Sequence, residues 1–125
     1  MNADPHPWAR ELGTLYDHAW HRVIRGVRDR HAPARHPTLA TVSSEGLPQA
    51  RTVVLRKADR TSGRLEIHTN LFSPKVVELK ATPDAAPFAV VHLHIRLMDL
   101  LHLGSQHRRA QFVREGGWVG HWVAP

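Results

Sequence analysis

Arg51 and Arg56 flank the run Thr52-Val53-Val54-Leu55. A guanidinium presents a planar fork of N–H donors that matches the oxygens of a phosphate. Further along, Thr69-Asn70 brings a hydroxyl and an amide to the end of an extended segment, and Ser73-Pro74-Lys75 has the makeup of a helix start. Ser is a favoured N-cap and Pro a favoured first helical residue. The free N–H groups and dipole at such an end favour an anion. Lys75 opposes the dipole in the first turn, so an anion bound there would account for it. Together Arg51, Thr69, Ser73 and Lys75 would make a phosphomonoester site. Singly, each also fits a plainer role: a solvated strand arginine, or a simple cap. At strand period Arg51 and Arg56 are expected on opposite faces.

A second set is His92, His94 and His102. The first two share a strand face, and His102 joins them if the strand is regular. Imidazoles so placed can take zinc, copper or iron. With no third ligand at a defined spacing, the expectation is an exposed histidine-rich strand and no metal site.

The elements that must position these residues follow from hydrophobic period. Trp8, Leu12, Leu15, Tyr16, Ala19, Trp20, Val23, Ile24 and Val27 form one helical face, which predicts a helix over Pro7 to Arg28. His31-Ala32-Pro33 and His36-Pro37 end it. Thr38 to Ser43 and Pro48 to Lys57 read as a hairpin around Ser44-Glu45-Gly46. Arg64 to Asn70 reads as a third strand, with Leu65, Ile67 and Thr69 on one face and Arg64, Glu66 and His68 on the other. A short helix is expected from Ser73 to about Ala81. Phe88 to about Leu103 reads as one long strand, or a strand with a bulge, whose face Ala89, Val91, Leu93, Ile95, Leu97 is apolar. Asp99 continues that face and needs a partner, a bulge or an exit from the core. Ala110 to Val123 reads as a hairpin turning at Glu115-Gly116-Gly117, with Trp118 and Trp122 on one face. The order lacks βαβ alternation, so the expected class is mainly β (α+β): an antiparallel barrel with flanking helices.

Composition sets the bounds. The chain has 125 residues, enough for one domain (1–37 helix and linker, 38–125 barrel). There is no cysteine, which excludes disulfides and thiolate chemistry. No apolar run is long enough to span a membrane, and residues 1–7 do not have the pattern of a secretory signal. A cytoplasmic location fits. The formal net charge of +6 suits an anionic partner. Arg22, Arg25, Arg28, Arg30 and Arg35 match a nucleic-acid footprint only loosely, because no aromatic residues are interleaved with them.

The stretch LATVSSEGLPQARTVVLRKADRTSGRLEIHTNLFSPK, Leu39 to Lys75, resembles the pyridoxamine 5'-phosphate oxidase-like family of FMN-binding split barrels. The matching pieces are LATV, the turn with Gly46 and Pro48, Arg51 to Arg56, His68-Thr69-Asn70 and Ser73-Pro74-Lys75-Val76. The resemblance covers about Trp8 to Leu97. It implies a six-stranded antiparallel split barrel, a homodimer and FMN at the subunit interface. It implies that Arg51 and Lys75, with Ser73 at the helix start, hold the FMN phosphate. Thr52, Val53, Val54 and Leu55 would lie along the isoalloxazine, His68 and Thr69 would contact the flavin and its phosphate arm, and Arg56 would touch both flavin and substrate. His94 best matches a flavin-facing position on the strand after the loop, with Asp99 the alternative register. Pro74 stands where members usually carry Arg, and Arg56 where the oxidases carry Lys. The segment Trp118 to Pro125 does not match the one that closes over substrate in the true oxidases, which points away from vitamin B6 oxidation itself. The expected function is FMN-dependent oxidoreduction of an unidentified small molecule. The alternatives are a non-catalytic flavin- or haem-binding protein and a basic nucleic-acid-binding module.

Overall fold

The structure is a computed structural model, and it describes residues 4–70 and 88–125. The short helix expected from Ser73 to Ala81 lies outside the described residues. Those residues carry one α-helix, α1 (Leu12–Arg28), and eight strands: β1 (Thr38–Val42), β2 (Pro48–Thr52), β3 (Leu55–Asp59), β4 (Arg64–Asn70), β5 (Phe88–His94), β6 (Leu97–Leu103), β7 (His107–Arg114) and β8 (Trp118–Val123). The strands pair antiparallel in three sheets, β1-β2, β3-β4-β5 and β6-β7-β8. The mainly β class holds. The chain falls into two compact units, Val23–His94 and Met1–Arg22 with Ile95–Pro125.

In the unit Val23–His94, β1 and β2 form the expected hairpin, with Thr38 opposite Thr52 and Val42 opposite Pro48. Gly46 takes φ +81 in its turn, a left-handed conformation that favours glycine. Read as one strand, Pro48 to Lys57 is in fact cut at Val53-Val54. The Val53 N–H goes to the Pro37 carbonyl at 3.0 Å, and the chain then leaves for another sheet. Both valines remain compatible with extended backbone, so their residue types carry no mark of the exit. Leu55 then pairs with Ile67 and Lys57 with Glu66, leaving Arg56 as the extra residue of a β-bulge. Val53, Leu55 and Ile67 are buried there. Full burial of side chains of this size is worth about 1.5–3 kcal/mol each. The Arg35 guanidinium donates to the Val27 carbonyl in the last turn of α1, a favourable place for a cation.

In the other unit the helix is shorter than expected. A 3-10 turn (Pro7–Ala9) precedes α1, and Arg10 and Glu11 interrupt the two. The apolar stripe nonetheless packs as its period requires. Ala9, Leu15, Ala110 and Phe112 form a buried cluster, ringed by Trp8, Leu12, Tyr16, Met98, Leu100 and Trp118. Gly120 lies opposite Phe112, and a Cβ there would collide with the phenyl ring.

The single strand expected from Phe88 to Leu103 is also cut. β5 pairs with β4, and β6 pairs with β7. Between them, at Ile95-Arg96, the alternation changes phase. Val91, Leu93 and Ile95 are half-buried, then Met98, Leu100 and His102 are. Leu97, expected on the buried face, is therefore 50% exposed. Asp99 points outward with it and finds its partner one strand away. Arg109 Nε and Nη2 donate to the two carboxylate oxygens at 2.8 and 2.5 Å, and Gln111 Nε2 donates at 3.1 Å.

Candidate functional site

The expected site residues that the structure describes all fall in the unit Val23–His94. Arg51 is half-buried on β2 and donates from Nη1 to Thr41 Oγ1 at 2.8 Å. Thr52 ends β2 opposite Thr38. Val53 is buried, and Val54 belongs to neither the β1-β2 nor the β3-β4 register. Leu55 is 2% exposed and anchors the start of β3. Arg56 is exposed on its bulge. The bulge defeats the parity argument that set Arg51 and Arg56 on opposite faces, because strand period does not carry through an unpaired residue. Thr69 lies on β4 opposite Ala89. Ser73 and Lys75 lie outside the described residues.

His68 and His94 share a face of the β4-β5 pair but not a neighbourhood. His68 stands opposite Val90, while His94 stands opposite Arg64 at the far end of the ladder. His92 lies between them, opposite Glu66. His102 does not join this face. The cut at Ile95-Arg96 puts it on β6, where its Nε2 meets His6 Nδ1 at 3.1 Å. Among the described residues, no three histidine or acidic side chains are grouped to hold a metal ion.

Glu66 is a candidate that sequence reasoning overlooked. It was legible only as one polar position on β4. In the fold it is the buried charged residue of the described part, 9% exposed. His92 Nε2 lies 2.9 Å from Oε1, His68 Nε2 lies 3.4 Å from Oε2, and Lys57 Nζ lies 3.8 Å from Oε2. The hydrogen bond from His92, then that from His68 and the charge of Lys57, hold its carboxyl below the ordinary glutamate range against the opposing effect of burial. A carboxylate in that state only accepts hydrogen bonds, so both imidazoles turn Nε2–H toward it.

Comparison with known proteins identifies the family. Residues 7–97 match the model of the family described as pyridoxamine 5'-phosphate oxidase, FMN-binding domain, and the chain belongs to that family. FMN is its cofactor. The pyridoxine/pyridoxamine 5'-phosphate oxidase 2 of Arabidopsis thaliana is 36% identical over 67 residues, which are 51% of this chain and 34% of that protein. The pyridoxine/pyridoxamine 5'-phosphate oxidase of Saccharopolyspora erythraea is 27% identical over 124 residues, 94% of this chain and 52% of that protein. The chain thus spans between a third and about half of the length of these curated relatives. The crystal structure of a pyridoxamine 5'-phosphate oxidase-related, FMN-binding protein from Nostoc punctiforme superposes over 100% of both chains with a TM-score of 0.70 at 16% identity. That likeness is one of fold.

The donor chemistry of the described residues suits this cofactor. Arg51 supplies a partly desolvated guanidinium for a phosphomonoester. The peptide at Val54, outside both ladders, supplies backbone groups for a polar ring edge. Arg56 supplies an exposed cation beside it.

Proposed function

We propose that this chain is an FMN-dependent oxidoreductase acting on a small molecule, and that its 125 residues work as one split-barrel domain. The observation that carries this is the cut at Val53-Val54. It leaves Val54 outside both ladders, between a half-buried arginine and a bulged, exposed one, within the region the family model covers. In this reading Arg51, Thr69, Ser73 and Lys75 hold the phosphate. Thr52, Val53, Val54 and Leu55 run along the flavin ring, and His68 contacts the flavin and its phosphate arm; His94, at the far end of the β4-β5 ladder, is not assigned to the same contact. Bound flavin supplies two-electron chemistry, and the protein supplies binding, orientation and field. Arg56 stands where its charge favours an electron-rich flavin edge and an anionic substrate. The vitamin B6 phosphates named for the relatives are one substrate class to test, not the assigned one.

A homodimer with FMN at the interface completes the proposal. Leu97, Leu101, Leu103 and Val119 lie on one face of the β6-β7-β8 sheet and are half or more exposed, as a face covered by a second copy would be. Among the described residues no helix is long and apolar enough to cross a membrane.

The direct test is the visible spectrum of purified protein loaded with FMN and freed of excess. Stoichiometric retained flavin, bleached by a reductant and recovered in air, is the expected result. No retained flavin would sink the proposal.

A further inference from the structure

We propose that the unit Met1–Arg22 with Ile95–Pro125 holds a second small-molecule site, a cavity lined by α1 and β6 that takes a planar aromatic carboxylate with Arg22 as its anion anchor. The proposal stands apart from the flavoprotein reading, whose described residues all lie in the unit Val23–His94.

Three features of one cavity converge. The first is its size and lining. Its volume is about 510 Å³, within the range of sites that enclose small ligands. Leu15 and Ala19 of α1 and Leu100 of β6 give it apolar walls, and His6, Trp8 and His102 add aromatic rings. Those rings hold one another in place. Trp8 stacks on His18 with centroids 3.5 Å apart and planes 7° from parallel. It meets His6 and His102 at 5.2 Å, tilted and edge-on respectively. The His6 and His102 imidazoles share a hydrogen bond, Nδ1 to Nε2, at 3.1 Å. Side chains already fixed by their own contacts lose little freedom when a flat ring packs against them.

The second feature is a charge left over. Arg22 Nε donates to His18 Nε2 at 2.8 Å, and among the described residues its guanidinium forms no ion pair with an acidic side chain. The two Nη nitrogens remain as the fork that a carboxylate fits. His18 adds no second charge. Burial, then the charges of Arg22, His21, His6 and His102, hold its imidazole below the ordinary histidine range. Asp99 also lines the cavity, but its carboxylate is taken by Arg109 and Gln111. One uncommitted guanidinium beside an apolar, aromatic space selects a ligand with one anionic end and a flat apolar body.

The third feature is an unpaired polar atom. His102 Nδ1 is buried with no hydrogen-bond partner among the described residues, whereas buried polar atoms of native folds are nearly always paired. The residue that carries it lines the cavity, so a bound ligand can supply the partner.

The test is an NMR titration of isotope-labelled protein with benzoate, and with benzamide as its neutral counterpart. Benzoate is expected to shift the Trp8 indole and the Ala19 and Leu100 methyl signals. It should bind at least about tenfold more tightly than benzamide, as a charged hydrogen bond requires. Arg22→Gln, at an exposed position, should abolish that preference. Prior loading with FMN should leave the benzoate shifts unchanged. Equal affinity of wild-type protein for the two probes, a comparison that needs no variant, overturns the proposal. So do shifts that bypass Trp8, Ala19 and Leu100, and so does displacement of benzoate by FMN, which would put benzoate in the flavin site. Wild-type protein that binds FMN but no benzoate overturns this proposal and leaves the flavoprotein reading standing. Benzoate bound at these signals by protein that retains no FMN does the reverse.

Discussion

Arg51 sits half-buried on β2 with one guanidinium nitrogen on Thr41 Oγ1, so part of its hydration has already been given up before any ligand arrives. A hydrogen bond between charged partners is worth about 1.5–3 kcal/mol, and each 1.4 kcal/mol is roughly tenfold in affinity. Arg51→Ala is therefore expected to weaken FMN binding by more than about tenfold, read by fluorescence titration. An unchanged affinity would remove Arg51 from the site. Asp99 gives a second prediction at this scale. Hydrogen bonds from Arg109, then Gln111, lower its carboxyl from 3.8 to about 2. The folded value is depressed, so the pairing contributes its full stability above pH 3.8 and loses it as pH falls toward about 2. The stability difference between wild type and Asp99→Asn should accordingly be largest above that window and shrink through it. A difference that stays constant in acid denaturation curves would show that the pairing does not stabilise the fold.

At the scale of elements, two breaks decide what the strands present. The cut at Val53-Val54 and the bulge at Arg56 transfer the chain from β2 to β3 and re-aim an arginine. The cut at Ile95-Arg96 reverses the buried face between β5 and β6. Neither leaves a strong mark in sequence, because extended, β-branched and apolar residues continue across both. Strand period held within β1, β5 and β6, was blurred in β2, β3, β7 and β8, and failed outright where the ladder changed partners. The turns were legible for the opposite reason: Gly46, with φ +81, and Gly116-Gly117 hold conformations that other residues resist. Packing between β7 and β8 makes a further prediction. A side chain at Gly120 would occupy space held by the Phe112 ring, so Gly120→Ala should destabilise the protein by about 1–3 kcal/mol in urea unfolding. No shift in the midpoint would mean that the ring relocates freely.

At the scale of the whole molecule, family membership and fold agree with the resemblance seen in the Leu39 to Lys75 stretch. The proposed homodimer predicts twice the monomer mass by light scattering. A Leu101→Asp and Leu103→Asp double variant should shift that mass toward monomer. Unaltered mass in the variant would clear the β6 face of any part in dimerisation.

The amino-acid sequence by itself determined the α1 stripe, the hairpin turns and the strand Arg64–Asn70. These are local: helical period and glycine conformation act within a few residues. Only the tertiary structure decided that Glu66 would gather Lys57, His68 and His92, that His102 would leave His92 and His94 for His6, and that Asp99 would meet Arg109. Each depends on which strands become neighbours and in what register. A shift of one residue sends a side chain to the other face, and nothing local to Glu66 encodes who its neighbours will be.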